Sequence, residues 1–521
     1  MVYHGSIVTC DEKGSVFSYL VSLGGKIVFL GQELTKEYEN LPVTELEERS
    51  LLPAFGDSHI HFSSYALFAG TLDVRTAHSN IEMIDMISAY AFPNKVKQVI
   101  GFGSSAHSVD EKTLIQKSEL DRACPGKPVM IVKYDGHAST INTCLIEKLP
   151  EKIKQLRGFH ADTGIMKQEA FFAVTDFVTA KVSLFALLRF MLEGVDRLAD
   201  RGIGMMHTVE SVGFALDMDV DLVRFFARGL QNAFQTRLFF QTMDIRKVQK
   251  RKLPRIGGCF KTALDGCFGT VDAAMLEAYL PNTEDTATDN RGILYYDDAA
   301  VIDFVTRANR AGLQVEMHAI GDAAFEQAVK AIEAALMDFP RENHRHTIIH
   351  VCLPTKEGLE MIARLGIGVA AQPAFLDWPL EPLSYLEEIM GDRAYQISPL
   401  RTMLDMGIHV SGGSDAPCTL PDPIEGIYAA CNHYVPEQSV TIPEALRMFT
   451  YETARMSFDE KERGSLEVGK VADFAILNRD PLSMKKEDLR SLAVEKLILS
   501  GRNYKKGQTL GNLAKRAIFK K

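Results

Sequence analysis

Apolar strands and amphipathic helices alternate along most of this chain, from about residue 53 to residue 455. The candidate strands include short apolar runs at residues 129–134, 202–207, 237–241, 314–318, 347–350, 367–371 and 408–411. Helical periodicity, with apolar residues three and four positions apart, marks residues 323–337 and 356–365. Nearly unbroken apolar strands that alternate with helices predict a parallel sheet covered on both faces. We therefore expect an α/β fold, with a (β/α)8 barrel as the first choice and a doubly wound sheet as the second.

Short strands separated by turn residues occur at both ends of the chain, within residues 1–50 and again at 470–477 and 494–501. Two separate sheets would each leave an apolar face in water, so we expect them to pair into one β-sandwich made of residues 1–52 and 456–521. The barrel would then occupy residues 53–455. Its segment at about 64–200 is too long for one strand–helix unit and predicts an inserted lobe, with a long helical stretch at 168–201.

The composition excludes several classes of partner. The formal net charge is −10 and no basic run is present, which argues against a nucleic-acid-binding surface. No apolar run is long enough to span a bilayer, and no secretory signal is expected at the N-terminus. The eight cysteines form no Cys-x-x-Cys pair, which is typical of reduced thiols in the cytoplasm. We expect a cytoplasmic protein that acts on a small molecule, and the sequence leaves open whether it forms a homo-oligomer.

A single stretch, residues 51–62, combines a buried strand with two histidines. It reads Leu-Leu-Pro-Ala-Phe-Gly-Asp-Ser-His-Ile-His-Phe and predicts one short strand that ends in His59 and His61. Successive side chains of a strand alternate between its faces, so both imidazoles point the same way and Ile60 points back into the protein. A His-x-His pair is common by chance, but two imidazoles at a strand end can hold one cation.

Further polar residues follow later apolar runs, where a barrel would bring them beside the two histidines. They are Lys261, His318, His350 and Asp415. A single histidine after a strand is more often structural, and an aspartate after Gly-Gly-Ser is more often a turn residue or a helix cap. Their joint occurrence at the ends of different strands favours a metal centre, because the reacting groups of a barrel lie at the carboxyl ends of its strands.

Imidazole and carboxylate ligands favour zinc or a neighbouring first-row metal over magnesium and calcium, and one or two ions would suit this set. Such an ion lowers the pKa of bound water to about 7 and polarises a substrate carbonyl. A nearby carboxylate can take the proton of that water and pass it on, and Asp415 is the predicted general base.

Several motifs, in this order, resemble the amidohydrolase superfamily, and most closely its family 3, which includes N-substituted formamide deformylase. They are residues 53–61, Asp135-Gly-His137 followed by Asn142, Lys261-x-x-x-Asp265-Gly266, residues 318–322, His350, Gln372-Pro373, residues 414–417 and residues 464–473. The resemblance implies a barrel with the composite sandwich and the hydrolysis of an amide or a similar bond.

The resemblance also implies a role for each matching residue. The first metal would be held by His59, His61 and Asp415, and the second by His318 and His350, with Lys261 bridging the two ions as a carbamate. Lys133, which also ends an apolar strand, is the alternative bridging lysine. Three matching residues, His137, Asp265 and Gln372, would contact the substrate.

Two segments depart from the family pattern and argue against transferring its known substrates. They are residues 267–274 and residues 101–107, and the chain's one tryptophan, Trp378, lies elsewhere, near Phe375. The favoured function is metal-dependent hydrolysis of a carbon–nitrogen bond other than a peptide bond. The alternative is a deaminase or cyclic-amide hydrolase with one metal, in which Lys261 is unmodified and His350 forms hydrogen bonds. A non-catalytic binding module would have lost ligands, and all six are present.

Overall fold

The computed structural model describes residues 1–92, 96–258, 264–281 and 288–519. The strands are β1 (Val2–Val8), β2 (Val16–Leu23), β3 (Lys26–Gly31), β4 (Val43–Pro53), β5 (Phe55–Ile60), β6 (Leu72–Asp73), β7 (Val99–Ser104), β8 (Val129–Lys133), β9 (Ala138–Ile141), β10 (Ile165–Lys167), β11 (Ile203–Glu210), β12 (Gln235–Phe240), β13 (Arg255–Gly258), β14 (Gln314–Ala319), β15 (Thr347–His350), β16 (Gly368–Ala371), β17 (Val410–Gly412), β18 (Phe474–Leu477), β19 (Val494–Leu499) and β20 (Arg502–Asn503).

The α-helices are α1 (Phe62–Ala69), α2 (Asn80–Ala91), α3 (Lys117–Ala123), α4 (Thr143–Lys148), α5 (Glu151–Lys154), α6 (Gln168–Thr179), α7 (Leu184–Asp200), α8 (Met218–Gly229), α9 (Ile245–Lys250), α10 (Asp298–Arg310), α11 (Asp322–Asp338), α12 (Lys356–Leu365), α13 (Leu383–Met390), α14 (Leu400–Asp405), α15 (Pro423–Cys431), α16 (Ile442–Met448), α17 (Tyr451–Met456) and α18 (Leu510–Phe519).

Eight parallel strands form the predicted barrel sheet, in the order β17-β16-β15-β14-β13-β12-β11-β5. Two backbone hydrogen bonds join its ends just beyond the strands: Asp415 N donates to His59 O at 2.8 Å, and His61 N donates to Ala416 O at 2.9 Å. The α/β barrel fold class is therefore confirmed. Strand β13 was not among the predicted strands, because its four residues include two glycines and form no apolar run.

The helix α12 shows how local sequence sets the bounds of a barrel helix. Thr355 caps its N-terminus by accepting a hydrogen bond from Gly358 N at 3.1 Å. Gly366 ends it with φ of 68°, a left-handed conformation that suits glycine. Between these signals Leu359 and Ile362 are buried against the core. The predicted bounds of this helix, 356–365, match the observed ones.

The stretch at 51–62 is not the single strand that was predicted. It contains the end of β4, which belongs to the terminal sheet, and the whole of β5, which belongs to the barrel. The chain crosses between the sheets at Ala54, whose N–H donates to Asp473 O at 3.1 Å, while the next N–H, of Phe55, donates to Gly202 O at 2.9 Å. The strand that carries the histidines is thus anchored to both sheets.

Both ends of the chain contribute to one seven-stranded sheet, in the order β20-β19-β18-β4-β1-β2-β3. The sheet curls back on itself, because the start of β3 meets the segment before β18 through a hydrogen bond from Ile27 N to Lys470 O at 2.9 Å. The curled faces enclose a core that includes Tyr3, Leu51 and Phe474. This pairing of the two termini is the one expected from the sequence. The proposed domain limits, 1–52 with 456–521 and 53–455, stay predictions.

A third sheet, in the order β10-β9-β8-β7-β6, lies within the segment predicted as an inserted lobe. The predicted strand at 129–134 belongs to this sheet and not to the barrel. The helical stretch predicted at 168–201 is divided into α6 and α7. Among the described residues no single helix has the length and apolar character needed to cross a membrane. The pair α6 and α7 would meet that test together and is bent by 105°.

An ion pair ties the segment after α17 to the barrel strand β12. Arg237 Nε and Nη2 donate to the carboxylate of Asp459 at 2.7 and 2.6 Å, and Ser457 Oγ donates to it at 2.6 Å. Burial acts to raise the pKa of Asp459, but its hydrogen bond and charge interaction with Arg237 outweigh burial and lower that pKa. The ionised carboxylate therefore stabilises the folded state.

We expect Asp459→Asn to lower the free energy of unfolding by about 2 kcal/mol at pH 7, because it removes a charged partner of a partly buried guanidinium. An aspartate whose pKa is lowered by folding contributes stability above its unfolded pKa, and that contribution is lost as the pH falls through the folded pKa. The difference between wild type and variant should shrink below about pH 4. Urea unfolding at several pH values measures it, and a difference that grows toward acid pH would contradict this account.

Candidate metal centre and pocket

Three predicted ligands meet where the two ends of the barrel sheet join. His59 lies near the end of β5, His61 directly follows it, and Asp415 follows β17. The Nε2 atoms of both histidines lie 3.2 Å from Asp415 Oδ1. All three residues are buried, although Asp415 follows the two histidines by more than 350 positions in the chain. The alternation of side chains along β5 therefore aims both imidazoles at one carboxylate oxygen, as predicted.

Asp57 holds the turn that carries Asp415, a role that the sequence analysis missed. Its carboxylate accepts hydrogen bonds from Ser414 N at 3.0 Å and Ser414 Oγ at 2.5 Å, and from His59 N at 3.2 Å. Burial raises the pKa of Asp57 to about 7, against the lowering effect of these bonds. The same side chain thus connects β5 to the turn after β17. The signal in the sequence was its place in Gly-Asp-Ser-His, two positions before the first ligand.

Two predicted ligands adopt left-handed backbone conformations. The φ angle is 55° at Asp415 and 70° at His350. Non-glycine residues rarely adopt such conformations, which cost of order 1–3 kcal/mol each and are often found at functional sites. The surrounding hydrogen bonds therefore hold these two side chains in place at some cost in stability.

His318 and His350 complete a cluster of four imidazoles. They end the neighbouring strands β14 and β15, and their ring centroids lie 4.7 Å apart. The ring of His350 also lies 5.7 Å from that of His59. His318 Nε2 is buried and has no hydrogen-bond partner in the described part of the chain. An unsatisfied ring nitrogen at this depth is costly unless an ion or water contacts it.

Asp265 and Gln372, which were predicted to contact substrate, lie against these histidines in the structure. Asp265 Oδ1 is 3.0 Å from His318 Nδ1, and the carboxylate also accepts from Gly321 N at 2.8 Å. Gln372 Oε1 is 2.6 Å from His350 Nδ1, while Gln372 Nε2 donates to Ala370 O. The glutamine oxygen must accept, so Nδ1 of His350 carries the proton and Nε2 is left as a lone-pair donor. A substrate contact by either residue stays untested.

The protonation states of the cluster suit metal binding. Burial lowers the pKa of His59 and lowers those of His318 and His350 well below the usual histidine value. Burial acts to raise the pKa of Asp415, but hydrogen bonds from His59 and His61 outweigh it and bring that pKa well below its usual range. Neutral imidazoles and an ionised carboxylate at neutral pH are the states that bind a cation.

The donor geometry also fits a divalent ion. Within the described ranges, one group of His, Cys, Asp or Glu residues has at least three donor atoms within 4.8 Å of one another, and it consists of His59, His61 and Asp415. Two donors of a tetrahedral zinc site with 2.0–2.1 Å bonds are separated by roughly 3.4 Å. The observed 3.2 Å is close to that spacing. Lys261, the predicted bridge to a second ion, lies outside the described residues.

The chain matches a family model, described as the amidohydrolase family, over residues 43–503. The chain belongs to the amidohydrolase family. This membership confirms the predicted enzyme class, a metal-dependent amidohydrolase. The resemblance inferred from the motifs is likewise confirmed.

Individual relatives match this amidohydrolase over almost the whole length of both chains. It is 26% identical to a Bacillus subtilis protein named as an amidohydrolase, YtcJ, over 96% of this chain and 98% of the relative. It is 24% identical to the N-substituted formamide deformylase of Arthrobacter pascens, over 96% and 97% of the two chains. The crystal structure of an uncharacterized metal-dependent hydrolase from Pyrococcus horikoshii superposes on this chain with a TM-score of 0.73 at 23% identity. The match covers 93% of this chain and 98% of that chain. The last similarity shows the shared fold.

The amidohydrolase has a small pocket, of about 40 Å3, beside the metal ligands. Four predicted ligands, His61, His318, His350 and Asp415, form one side of it. The other lining residues are Asp135, His137, Cys267, Phe268, Ile320, Cys352, Phe375, Trp378, Glu381 and Cys418. Of the three predicted substrate contacts, His137 lines this pocket. The sequence analysis did not single out Cys352, Glu381 or Cys418, because none of them is part of a motif that matches the family.

The aromatic residues after Gln372-Pro373 form one wall of this pocket. Phe375 stacks on Trp378 with ring centroids 4.7 Å apart and an angle of 8° between the planes. Phe375 also stacks on His350, with 6.0 Å between centroids. This ordered stack begins at a predicted metal ligand and extends away from it, which suits a flat or apolar part of a substrate.

Lys133, the alternative bridging lysine, is buried at the end of β8 in the inserted lobe. Its Nζ donates to Gly269 O and lies 3.3 Å from Asp135 Oδ2. These contacts make it the partner of a pocket carboxylate. They give no support to its prediction as a metal bridge.

Proposed function

We propose that this amidohydrolase hydrolyses an amide-like, non-peptide carbon–nitrogen bond of a small molecule, with Asp415 as the general base. The observation that carries the proposal is the position of Asp415 Oδ1, 3.2 Å from Nε2 of both His59 and His61. A divalent ion held by these residues, with zinc the best match to the donor types, would polarise the scissile carbonyl and acidify a water molecule.

In the proposed reaction the chain's own residues position the ion and move one proton. Water adds to the carbonyl carbon, and the Asp415 carboxylate accepts the proton that this water loses. The carbon–nitrogen bond then breaks, and Asp415 delivers the proton to the leaving nitrogen. The products are a carboxylic acid and an amine. Asp57 contributes by holding the turn after β17, so that Asp415 stays aimed at the site.

The substrate class is supported by two considerations. One relative is named an N-substituted formamide deformylase and covers 96% of the chain, which favours N-acyl or N-formyl amines. The pocket combines an aromatic stack with a few polar groups, as expected for a small organic molecule. The proposal extends to the bond that is cleaved and not to the group attached to it, because residues 267 and 268, in a segment that departs from the family pattern, line this pocket.

A deaminase with a single metal is the second candidate. It is favoured by the three-residue group of His59, His61 and Asp415, which would hold one ion, and in that mechanism His350 would form hydrogen bonds. Cytoplasmic location, the carbamate on Lys261 and homo-oligomerisation stay predictions.

Metal analysis combined with product analysis separates the two candidates. The purified protein would be assayed by elemental mass spectrometry and then incubated with N-formyl amines, N-acyl amines, cyclic amides and amino-substituted heterocycles. The first candidate predicts one or two ions per chain with release of a carboxylic acid and an amine. The second predicts one ion with release of ammonia. Hydrolysis by fully metal-free protein would exclude both.

Gly413 offers a test of the geometry of the ligand turn. A methyl group at this position would lie 2.7 Å from His59 N, which is too close for a carbon beside a backbone atom, and 3.2 Å from Asp57 Oδ1, which is a tight contact. We expect Gly413→Ala to displace Asp415 from the histidines and to lower kcat/KM by about 10²-fold. Steady-state kinetics and metal content measure the effect.

The matched control for this substitution is Gly368→Ala in the neighbouring strand β16. There the added methyl group would meet Thr347 Oγ1 at 3.5 Å, an ordinary contact, so kcat/KM is expected to be unchanged. Equal losses of kcat/KM in the two variants would show that any added methyl group in this part of the barrel lowers activity. The loss in Gly413→Ala would then not be due to displacement of the turn that carries Asp415.

A further inference from the structure

Glu381 occupies the loop between β16 and α13, three positions after Trp378, and its side chain has no role in the proposed reaction. It is partly buried and lines the pocket. Its Oε2 accepts a hydrogen bond from Tyr134 Oη at 2.8 Å, so the barrel loop meets the inserted lobe here. Ser105 Oγ, also in the lobe, donates to Leu380 O at 3.0 Å and fixes the same loop. The carboxylate is therefore held in a defined position.

Several oxygen atoms converge beside Gly269 at this wall of the pocket. A methyl group on Gly269 would lie under 3.0 Å from Tyr134 Oη, from Asp135 Oδ2 and from Glu381 Oε2. Asp135 Oδ2 has a cation beside it, Lys133 Nζ at 3.3 Å. Lys133 also lowers the pKa of Glu381 through its charge, but its ion pair is with Asp135, so one ammonium group serves both of these carboxylates. The wall thus contains two carboxylates and one ammonium group.

A carboxylate without its own counter-ion is expensive in an enclosed site. Burial raises the pKa of Glu381 to about 7, and the hydrogen bond from Tyr134 offsets only part of this effect. The charge of Asp135 raises this pKa further, and the charge of Lys133 lowers it. The thiols of Cys267 and Cys352 also interact with Glu381, and burial keeps their pKa values high, so they add no charge. A positively charged group in the pocket would supply the missing counter-ion.

The surroundings of Glu381 also favour a cation carried on an apolar body. Trp378 and Phe375 stack within the same loop, and Phe268 lines the pocket as well. Aromatic faces attract ammonium and guanidinium groups, and they pack against aliphatic or aromatic carbon. A ligand with a ring or short chain between an amide and a cationic nitrogen would satisfy the metal side, the aromatic wall and the carboxylate together.

We propose that Glu381 recognises a positively charged nitrogen of the substrate, so that the preferred substrates are amides that carry an ammonium group on the side away from the scissile bond. This inference rests on the proposed function, since it names the substrate class of the same site. Glu381 determines specificity and takes no part in the proton transfers. Tyr134 positions it through the hydrogen bond to Oε2.

The test uses matched pairs of substrates that differ in one group. One pair is N-formyl-4-(aminomethyl)benzylamine and N-formyl-4-ethylbenzylamine, in which a methyl group replaces the ammonium group, and acetyl, aliphatic and cyclic-amide pairs extend the panel. The metal-loaded wild type is expected to cleave the cationic members with a kcat/KM about 10²-fold higher than the neutral members. Glu381→Gln is expected to abolish that preference, mainly by raising the KM of the cationic members.

Two further variants separate recognition from structural effects. Tyr134→Phe removes the positioning hydrogen bond but keeps the carboxylate, so the preference for cationic members is expected to be reduced and not lost. Glu388→Gln, an exposed substitution on α13, is expected to change neither member of a pair. Equal losses on both members in Glu381→Gln, or a wild-type preference for the neutral members, would overturn the inference while leaving the proposed function standing. Failure of the wild type to cleave any member of the panel would instead count against the proposed function, and the inference would fall with it.

Discussion

Replacing Asp415 with asparagine is expected to lower kcat for amide hydrolysis by about 10⁴-fold, at the upper end of the effect of a general acid–base. The substitution keeps the size of the side chain but removes its charge and its ability to accept a proton. In the structure Asp415 Oδ1 lies 3.2 Å from Nε2 of both His59 and His61, so the same atom serves the metal ligand set. Loss of charge at this atom weakens the ligand set as well as the base.

The measurement is steady-state kinetics on any substrate that the panel identifies, together with metal content. Asp422→Asn is the matched control, because Asp422 follows in the same loop and caps α15 by accepting from Ile424 N at 3.1 Å. Its loss is expected to affect stability and to leave kcat unchanged. Retention of substantial activity in Asp415→Asn would refute the assignment of the base.

Removing the metal is expected to have a similarly large effect, a loss of about 10³-fold or more in kcat/KM, because water in the site would no longer be acidified. Dialysis against a chelator, followed by stepwise addition of Zn²⁺, would measure the loss and its recovery. The buried imidazoles would also lose the partner that satisfies them, so stability should fall. Zinc at 1,000 times its Kd should stabilise the folded state by about 4 kcal/mol.

This second readout does not depend on activity. Zinc is expected to raise the Tm of the chelated wild type and to have a much smaller effect on His59→Ala, which lacks one of the three grouped ligands. Addition of Mg²⁺ serves as the comparison, since imidazole ligands disfavour it. Full activity without metal, or an equal Tm shift in wild type and variant, would contradict the metal centre.

Much of the candidate site could be predicted from short-range patterns. The period of two along β5 sets the shared direction of His59 and His61, because it depends only on strand geometry. The rule that parallel strands align their carboxyl ends brought His318, His350 and Asp415 into the same prediction. The bounds of α12 followed from its cap and its terminal glycine, which are likewise local.

Other features could not be predicted because they depend on contacts between distant segments. The chain passes from the terminal sheet to the barrel sheet at Ala54. The residue types in 51–62 do not indicate that β4 pairs with β18 while β5 pairs with β11. Strand β13 is short and rich in glycine, so it is a strand only because β12 and β14 flank it. Glu381 has no motif, and its meeting with Tyr134 required the inserted lobe to dock against a barrel loop.

The sequence by itself indicated the candidate ligands and determined the class of fold and the enzyme family. These properties follow from residue type, strand period and the order of motifs. The tertiary structure alone decided how the residues are held: Asp57 joined to Ser414 across 357 positions, Asp265 beneath His318 and Gln372 beneath His350. The physical reason is that a buried polar group needs a hydrogen-bond partner close to it in space. When that partner lies far away along the chain, the residues around the group do not indicate which partner it is.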